Sequence, residues 1–380
     1  IKGLVVVAKH HDGFCLWPTK TTEHNIAHSP FRGGKGDYVK EMEQACRRAG
    51  IEFGVYISPW DRNNAHYGTD EYLKLYREQI REILGGGYGR LFEIWFDNAN
   101  GGDGYYGGAR EKRTIPNDYY GFGDIFRMVR CLQPGICVFN EHEDADFRYG
   151  GNEKAQIDPE SRATGGHFDR DKWTEYKKWA NVGIRDGPVY HPIEADVPLR
   201  PQWFYHAKED GRTKNSAYLM QRYLSSVGNS ATLNIGVSPN RDGILVEEDV
   251  RALRGFNEIR KAFFSHETTG TGEPFNVVVM EEDLSAGEQV DGWEFHADGV
   301  KLLSGVSIGS KRIRVLNSPI TAKHCEVVVT KKGPDFQTVS FRRFYVAPEL
   351  AERVVKATSA TGETDTARWM KVGRQGVETN

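Results

Sequence analysis

Short apolar runs and longer amphipathic segments alternate along the chain from Gly3 to about Phe264. A short apolar run between turn signals predicts a strand buried on both faces, and a longer amphipathic segment predicts a helix. The predicted strands are Leu4–Lys9, Ile51–Ile57, Leu91–Phe96, Ile136–Asn140 and Thr232–Val237. The predicted helices are Asp37–Ala49, Asp70–Leu84, Asp118–Leu132, Asn215–Val227 and Glu247–Phe264, with Asp37 and Asp70 as N-caps and Gly50 as a C-terminal glycine. This alternation predicts βαβ units with parallel strands.

The fold class that these elements indicate is α/β, with a (β/α)8-like TIM barrel. The stretch from Gly150 to Tyr205 is rich in Gly, Pro and Trp, and we expect it to carry the sixth and seventh strands. The count then reaches about seven strands, one short of a closed barrel. Because Ile1 directly precedes a predicted buried strand, we expect an N-terminally truncated sequence whose missing first strand lies before Ile1. The lack of a signal segment then carries no weight, and we expect an extracellular or periplasmic location.

After His266 the pattern changes to short alternating runs. The residues Thr268–Gly272 have the composition of a linker, and the runs that follow predict an antiparallel all-β sandwich. The predicted strands are Phe275–Met280, Gly292–His296, Lys311–Leu316, Glu326–Thr330 and Val339–Val346. The predicted domains are therefore a barrel over 1–265 and a sandwich over 266–380.

The composition fits a globular chain and limits the classes of partner that we expect. Lys and Arg number 50 and Asp and Glu 53, so the net charge of −3 gives no reason to expect a nucleic-acid partner. The mean hydropathy of −0.59 and the lack of a long apolar run predict no membrane span. The five cysteines form no CxxC pair, which predicts neither a disulfide framework nor a zinc site.

Candidate chemistry lies where the predicted strands end. Asp97 closes the apolar run Leu91–Phe96, and His10 and His11 follow the first strand. Trp60 follows the second strand, and Glu141 follows the fourth. A strand-end acid is often only a polar stop, but polar residues at one end of successive strands mark the active face of a barrel. We predict no metal site and no cofactor, because the histidines have no second ligand set with metal spacing.

Acids and tryptophans at a barrel mouth favour glycoside hydrolysis, which requires two carboxyl groups. In the retaining version these groups stand about 5–5.5 Å apart, one as nucleophile and the other as acid/base. Asp97 fits the nucleophile best, because a strand end holds a carboxylate rigidly. Spacing alone does not choose the partner among Glu141, Glu143, Glu153, Glu160 and Glu194.

Four stretches in order resemble glycoside hydrolase family 29, the α-L-fucosidases. They are His10–Trp17, Trp95–Asp97, Arg200–His206 and Asn234–Gly243. The resemblance implies that Asp97 is the nucleophile of a retaining mechanism and that His10 and His11 hold fucose hydroxyls. It also implies that Trp17 and Trp203 wall the sugar pocket, and we add Trp60 as a binding residue.

The Glu194–His206 stretch resembles most the subgroup that cleaves α-1,3/1,4-linked fucose from branched glycans. That subgroup carries its acid/base in an Arg-aromatic-x-Gly-Asn-Glu stretch, which Arg148–Glu153 matches, so the resemblance implies Glu153 as acid/base. Glu194 is the second candidate, with a binding role expected instead. Three features depart from the family pattern: Asn98 where Gly is expected, Tyr149 where Trp is usual, and the long insert Asp103–Ile115.

We therefore predict an exo-acting retaining α-L-fucosidase whose partner is a fucosylated oligosaccharide or glycoconjugate. One alternative is a fucose- or glycan-binding protein with a non-catalytic barrel. Another is a retaining glycosidase that acts on a different sugar.

Overall fold

A computed structural model describes residues 1–100, 104–105 and 107–358 of the chain. The chain divides into two compact units. The first contains residues 1–148 and 167–176, and the second contains residues 149–166 and the chain from 177 onward. The domain boundary near residue 266 stays a prediction from the sequence.

The helices and strands follow one another as the sequence pattern broadly predicts. In chain order the strands are β1 (Gly3–Lys9), β2 (Glu52–Ile57), β3 (Glu93–Trp95), β4 (Gly104–Tyr105), β5 (Lys112–Arg113), β6 (Cys137–Phe139), β7 (Arg148–Tyr149), β8 (Thr164–Gly165), β9 (Val189–Tyr190), β10 (Ile193–Pro198), β11 (Thr232–Gly236), β12 (Pro274–Glu282), β13 (Val290–Ala297), β14 (Val300–Gly305), β15 (Arg312–Thr321), β16 (Cys325–Lys332) and β17 (Val339–Phe344). The α-helices are α1 (Tyr38–Ala49), α2 (Asp70–Leu84), α3 (Phe122–Leu132), α4 (Trp173–Trp179), α5 (Ser216–Ser226), α6 (Glu247–Phe264) and α7 (Pro348–Val355). Short 3-10 helices occur at Ile26–His28, Phe31–Gly34, Gly107–Ala109, Arg170–Lys172 and Ala207–Glu209.

The first unit contains a parallel sheet with the strand order β1-β2-β3-β6. Helices α1, α2 and α3 lie between consecutive strands of this sheet along the chain, which confirms the predicted βαβ units. Its core is apolar and largely aromatic, with Val55, Tyr76, Ile94 and Phe126 all fully buried. Strands β2 and β3 are buried over most of their length, and polar residues follow their carboxyl ends.

Local sequence explains where the first helices begin and end. The Asp37 side chain accepts a hydrogen bond of 2.9 Å from the Lys40 amide, and Gly50 closes α1 at φ 65°, both as predicted. Thr69, and not Asp70, occupies the N-cap position of α2, so that prediction is wrong by one residue. Asp70 lies in the first helical turn, where its negative charge is stabilised by the helix dipole.

The second unit contains a parallel strand pair and an all-β part. Strands β10 and β11 pair in parallel, with Asp196 opposite Asn234. Beyond residue 273, two antiparallel sheets have the orders β15-β12-β17 and β14-β13-β16. Val278 and Met280 of β12 pack with Trp293 and Phe295 of β13 in one core, as the predicted sandwich requires.

Two expectations about the fold need correction. In the stretch from Gly150 to Tyr205, where two barrel strands are predicted, β10 is the one described strand longer than two residues. Strands β8 and β9 form a small antiparallel pair instead. The described residues accordingly form an α/β fold without a closed barrel. None of the described helices is both long enough and apolar enough to cross a membrane.

Candidate active site

The carboxyl ends of β1, β2 and β3 lie side by side because these strands are parallel neighbours. His10 and His11 follow β1, Trp60 comes shortly after β2, and Asp97 comes shortly after β3. The structure therefore brings together four of the residues that the sequence marks as candidates. Tyr56, near the end of β2, and Ser58 join them.

Asp97 is the centre of this group. Its Oδ2 accepts a hydrogen bond of 2.8 Å from the Tyr56 hydroxyl, and its Oδ1 accepts one of 2.7 Å from the Ala99 amide. His11 Nε2 lies 3.7 Å from the same Oδ2. The side chain is 26% exposed, so the carboxylate is fixed by these hydrogen bonds and is still partly accessible to solvent. A carboxylate that is both fixed and accessible is suited to nucleophilic attack.

Backbone pairing fixes the segment that carries Asp97. The Phe96 amide donates 3.1 Å to the Phe139 carbonyl, which continues the β3–β6 ladder by one residue. The buried Asn140 side chain donates 3.0 Å to the Phe96 carbonyl. The backbone amide and carbonyl of Phe96 are thus both hydrogen-bonded, one to β6 and the other to Asn140 just after it. These bonds restrict the direction of the Asp97 side chain.

The two histidines form one packed group with the residues after β2. Their ring centroids are 4.0 Å apart, and the His11 ring lies 4.8 Å from Trp60. His11 Nδ1 is 2.7 Å from Ser58 Oγ, so its Nε2 is the ring nitrogen nearest to Asp97. The His10 ring stacks on Tyr56 with a centroid distance of 5.6 Å.

Burial keeps these groups uncharged at neutral pH. Burial and the neighbouring His11 lower the pKa of His10 from 6.5 to about 4. Burial also lowers the pKa of His11, against the opposing effect of Asp97. Burial and the negative charge of Asp97 raise the pKa of Tyr56 well above its usual value. Neutral imidazole and phenol groups are able to exchange hydrogen bonds with sugar hydroxyls.

Aromatic rings form the wall beside the carboxylate. Trp95 stacks on Tyr56 at 5.0 Å and on Phe139 at 4.0 Å, so three rings from β2, β3 and β6 pack face to face. Trp60 is half-buried, and its Nε1 has no hydrogen-bond partner among the residues that the structure describes. The Nε1 atom is itself enclosed by the protein, so the predicted binding role of Trp60 rests on its apolar ring face.

A buried ion pair lies under the two strand ends. Lys9 Nζ is 3.1 Å from Asp61 Oδ2 and donates to Tyr72 and Gln79 of α2 at 3.1 and 3.0 Å. Lys9 and Asp61 are only 0% and 2% exposed. The pair joins the residue before His10 to the residue after Trp60, so it fixes the spacing of the two segments that line the site.

Trp17, which the family resemblance assigns to the wall of a sugar pocket, is a buried residue. Its side chain is 1% exposed and belongs to the core of the first unit. Its Nε1 donates a hydrogen bond of 2.9 Å to Glu82 on α2. Both its ring and its polar atom therefore have contacts inside the protein, and the wall role that the resemblance implies for Trp17 stays a prediction.

The remaining predicted site residues belong to the second unit. Glu153 is exposed on a turn of the loop after β7. Glu194 of β10 is buried, and its Oε1 accepts 3.0 Å from Asn234 of β11, so it holds two neighbouring strands together. Trp203 is 37% exposed and lies against Gly236, where an added Cβ would come within 2.4 Å of its ring.

The sequence profile of the family described as alpha-L-fucosidase matches residues 1–259. The chain belongs to the α-L-fucosidase family. The match includes every candidate site residue named above, so the group around Asp97 lies within the part of the chain that the family profile matches. The long insert after Asp97 is also inside the match, although part of it lies outside the described residues.

Relatives from plants and bacteria agree with this membership. The chain is 34% identical over 264 residues to alpha-L-fucosidase 1 of Arabidopsis thaliana, which covers 69% of this chain and 49% of that protein. A relative from Oryza sativa subsp. japonica is 36% identical over 270 residues, covering 69% of this chain and 48% of that protein. The chain thus spans about half the length of these two plant relatives. It is also similar to the crystal structure of a glycoside hydrolase 29 family member from an unknown rumen bacterium, with a TM-score of 0.81, 30% identity, and coverage of 97% of this chain and 69% of that chain.

In this α-L-fucosidase family member, sequence reasoning missed Tyr56 and Ser58. Tyr56 stands in the apolar run of β2, where a tyrosine is normally read as core. The available signal is the strand register: Tyr56 is the partner of Trp95, two residues before Asp97. A side-chain hydroxyl at this register of the neighbouring parallel strand lies within hydrogen-bond reach of Asp97.

Proposed function

We propose that the protein is a retaining, exo-acting α-L-fucosidase that releases fucose from α-1,3/1,4-fucosylated glycans. The observation that carries the proposal is the Asp97 carboxylate, fixed by Tyr56 at 2.8 Å and flanked by neutral histidines, in a chain of this family. We further propose that the α/β part belongs to a (β/α)8-like barrel.

In the proposed first step, Asp97 attacks the anomeric carbon of fucose and forms a glycosyl ester. Glu153, protonated at this stage, donates its proton to the departing glycosidic oxygen. In the second step, the ionised Glu153 takes a proton from water, which attacks the anomeric carbon and releases Asp97. Each step transfers one proton through Glu153, and the anomeric configuration is retained because two inversions occur.

The binding residues have separate proposed roles. His10 and His11 bind fucose hydroxyls, because their rings are neutral and lie beside the carboxylate. Trp60 contributes an apolar ring face to the sugar pocket, while its Nε1 is enclosed by the protein. Trp203 contributes a half-exposed ring, and Glu194 contacts the glycan or holds the strand end that does so.

A substrate panel with two variants tests this function. The panel contains aryl α-L-fucosides, aryl glycosides of other sugars, and an α-1,3/1,4-fucosylated oligosaccharide. We expect hydrolysis of the fucosides alone, and a loss of about a thousandfold or more in kcat for Asp97→Ala. Asp118→Ala is the matched control, because Asp118 is an exposed acid outside the group around Asp97.

The outcomes separate the proposal from its alternatives. Fucose binding by calorimetry without any turnover would identify a glycan-binding protein. Turnover of a different aryl glycoside would identify a glycosidase for another sugar. An Asp97→Ala protein that keeps most of its activity would exclude Asp97 as nucleophile.

A further inference from the structure

The loop of residues 150–158, called here the Glu153 loop, is closed by two asparagine side chains. Asn152 lies inside the loop, and its Nδ2 donates to the carbonyls of Gly150 and Gln156 at 3.3 and 3.0 Å. Its Oδ1 accepts from the Lys154 amide at 3.0 Å. Glu153 sits between the joined positions, exposed at the tip of the turn.

Asn181, outside the loop, donates to the same two carbonyls. Its Nδ2 is 3.1 Å from the Gly150 oxygen and 2.8 Å from the Gln156 oxygen. Its Oδ1 accepts from the Asp158 amide at 2.6 Å. Since a carbonyl oxygen has two lone pairs and a side-chain amide has two N–H groups, both asparagines are satisfied at once. All three Asn181 bonds end on the backbone of the Glu153 loop.

The two halves of the Glu153 loop are anchored to different extents. Ala155 and Ile157 donate to the carbonyls of Asp196 and Ser225, both at 2.9 Å, which anchors the half of the loop after Glu153. The half before Glu153 contains Gly150 and Gly151, and Gly151 has a φ of 78°. Glycines leave a backbone many accessible conformations, so bonds to the Gly150 carbonyl restrict the more flexible half.

We propose that Asn181 is a positioning residue that sets the approach of Glu153 to the departing glycosidic oxygen. This inference rests on the proposed role of Glu153 as acid/base. A general acid must reach its target oxygen within hydrogen-bond distance, and small displacements of its backbone cost rate. An aspartate at 181 would keep the acceptor for Asp158 but would face two carbonyl oxygens with a carboxylate, which opens the base of the loop.

The test uses the dependence of rate on the leaving group. Protonation by the acid matters for poor leaving groups and matters little for activated phenols. Wild type, Asn181→Asp, Glu153→Ala and the control Asn257→Asp are assayed on aryl fucosides of increasing phenol pKa and on a fucosylated oligosaccharide. Asn257 is a suitable control because it lies on the exposed side of α6 and its Oδ1 accepts from Arg260.

We expect Asn181→Asp to lower kcat/KM about 10- to 100-fold for poor leaving groups and less than about threefold for activated ones. Asn257→Asp should match wild type throughout. If Asn181→Asp does not accumulate as folded protein, Asn181→Ser supplies the same comparison with a smaller change at the loop base. Circular dichroism melting of each variant checks the fold.

The outcomes distinguish the inference from the function on which it rests. An equal loss of Asn181→Asp activity on all substrates, or no loss, overturns the positioning role while Glu153→Ala still shows its leaving-group dependence. A Glu153→Ala variant without leaving-group dependence instead overturns the acid/base assignment of Glu153, and the positioning role with it.

Discussion

The Tyr56 hydroxyl donates a 2.8 Å hydrogen bond to Asp97 Oδ2, and this bond joins two neighbouring parallel strands at the edge where the candidate site lies. The Tyr56 ring is held between His10 and Trp95, so its hydroxyl has little freedom to turn away. Because the raised pKa of Tyr56 keeps it protonated, it remains a donor to the carboxylate at neutral pH.

Tyr56→Phe is expected to lower kcat on an aryl fucoside by about 10- to 100-fold. A hydrogen bond to a charged group contributes about 1.5–3 kcal/mol, and the phenyl ring preserves the stacking. Tyr88→Phe is the matched control, because it removes a 2.9 Å bond to Asp37 that involves no candidate site residue. Steady-state kinetics on both variants make the comparison. Equal activity of Tyr56→Phe and Tyr88→Phe would show that the bond to Asp97 is not used.

The lowered pKa of His10 predicts a loss of stability in weak acid. Between pH 6.5 and about 4 the unfolded chain binds a proton at His10 that the folded chain does not bind. The free energy of unfolding therefore falls as the pH falls through this window, and the effect is absent above it. Urea unfolding of wild type and His10→Asn from pH 4 to 7 measures the difference. If the free energy of unfolding changed with pH in the same way in both proteins, this would contradict the lowered pKa of His10.

Lys9→Met should destabilise the protein by about 3–5 kcal/mol, because it leaves the Asp61 carboxylate buried without its cation. The double variant Lys9→Met/Asp61→Asn should recover part of this loss, since it removes the unpaired charge. Urea unfolding of the single and double variants tests the coupling. If the loss in free energy of unfolding of the double variant equals the sum of the losses of the two single variants, the two side chains act independently.

Trp17 and Trp60 should respond differently to substitution. Trp17→Phe removes a buried ring and its bond to Glu82, so we expect about 1–3 kcal/mol less stability and an unchanged KM. Trp60→Ala should raise KM for the aryl fucoside about tenfold or more, because it removes a half-buried ring proposed to pack on the sugar. Kinetics and thermal melting on both variants decide the matter. A Trp17→Phe protein with unchanged stability and a raised KM would show that Trp17 contributes to sugar binding.

Patterns within one segment predicted much of the fold. The bounds of α2 and α6 agree with the apolar periodicity, and Asp97 followed from an apolar run that ends in an acid. Strand β14 was missed although Asp298 and Gly299, both at positive φ, form a hairpin turn signal before it. A two-residue turn of this kind is a local sequence signal for a hairpin.

Contacts between distant segments account for the remainder. The surroundings of Trp17 depend on how the chain bends after β1, and the bond from Tyr56 to Asp97 depends on the register of two neighbouring strands. Glu153 is a candidate because of a local motif match, but the hydrogen bonds from Asn181 join residues of separate segments and leave no local signal. For the same reason Lys9 and Asp61 are ordinary polar residues in the sequence and an ion pair in the fold.

Covalent trapping tests the central claim that Asp97 is the nucleophile. A 2-deoxy-2-fluoro-fucosyl fluoride should react with the protein, because the leaving group is good and the fluorine slows release of the glycosyl ester. Mass spectrometry of the digested protein should find the added sugar on the peptide with Asp97 and on no other, and Asp97→Ala should remain unlabelled. An adduct on a different carboxylate, or equal labelling of Asp97→Ala, would contradict the account.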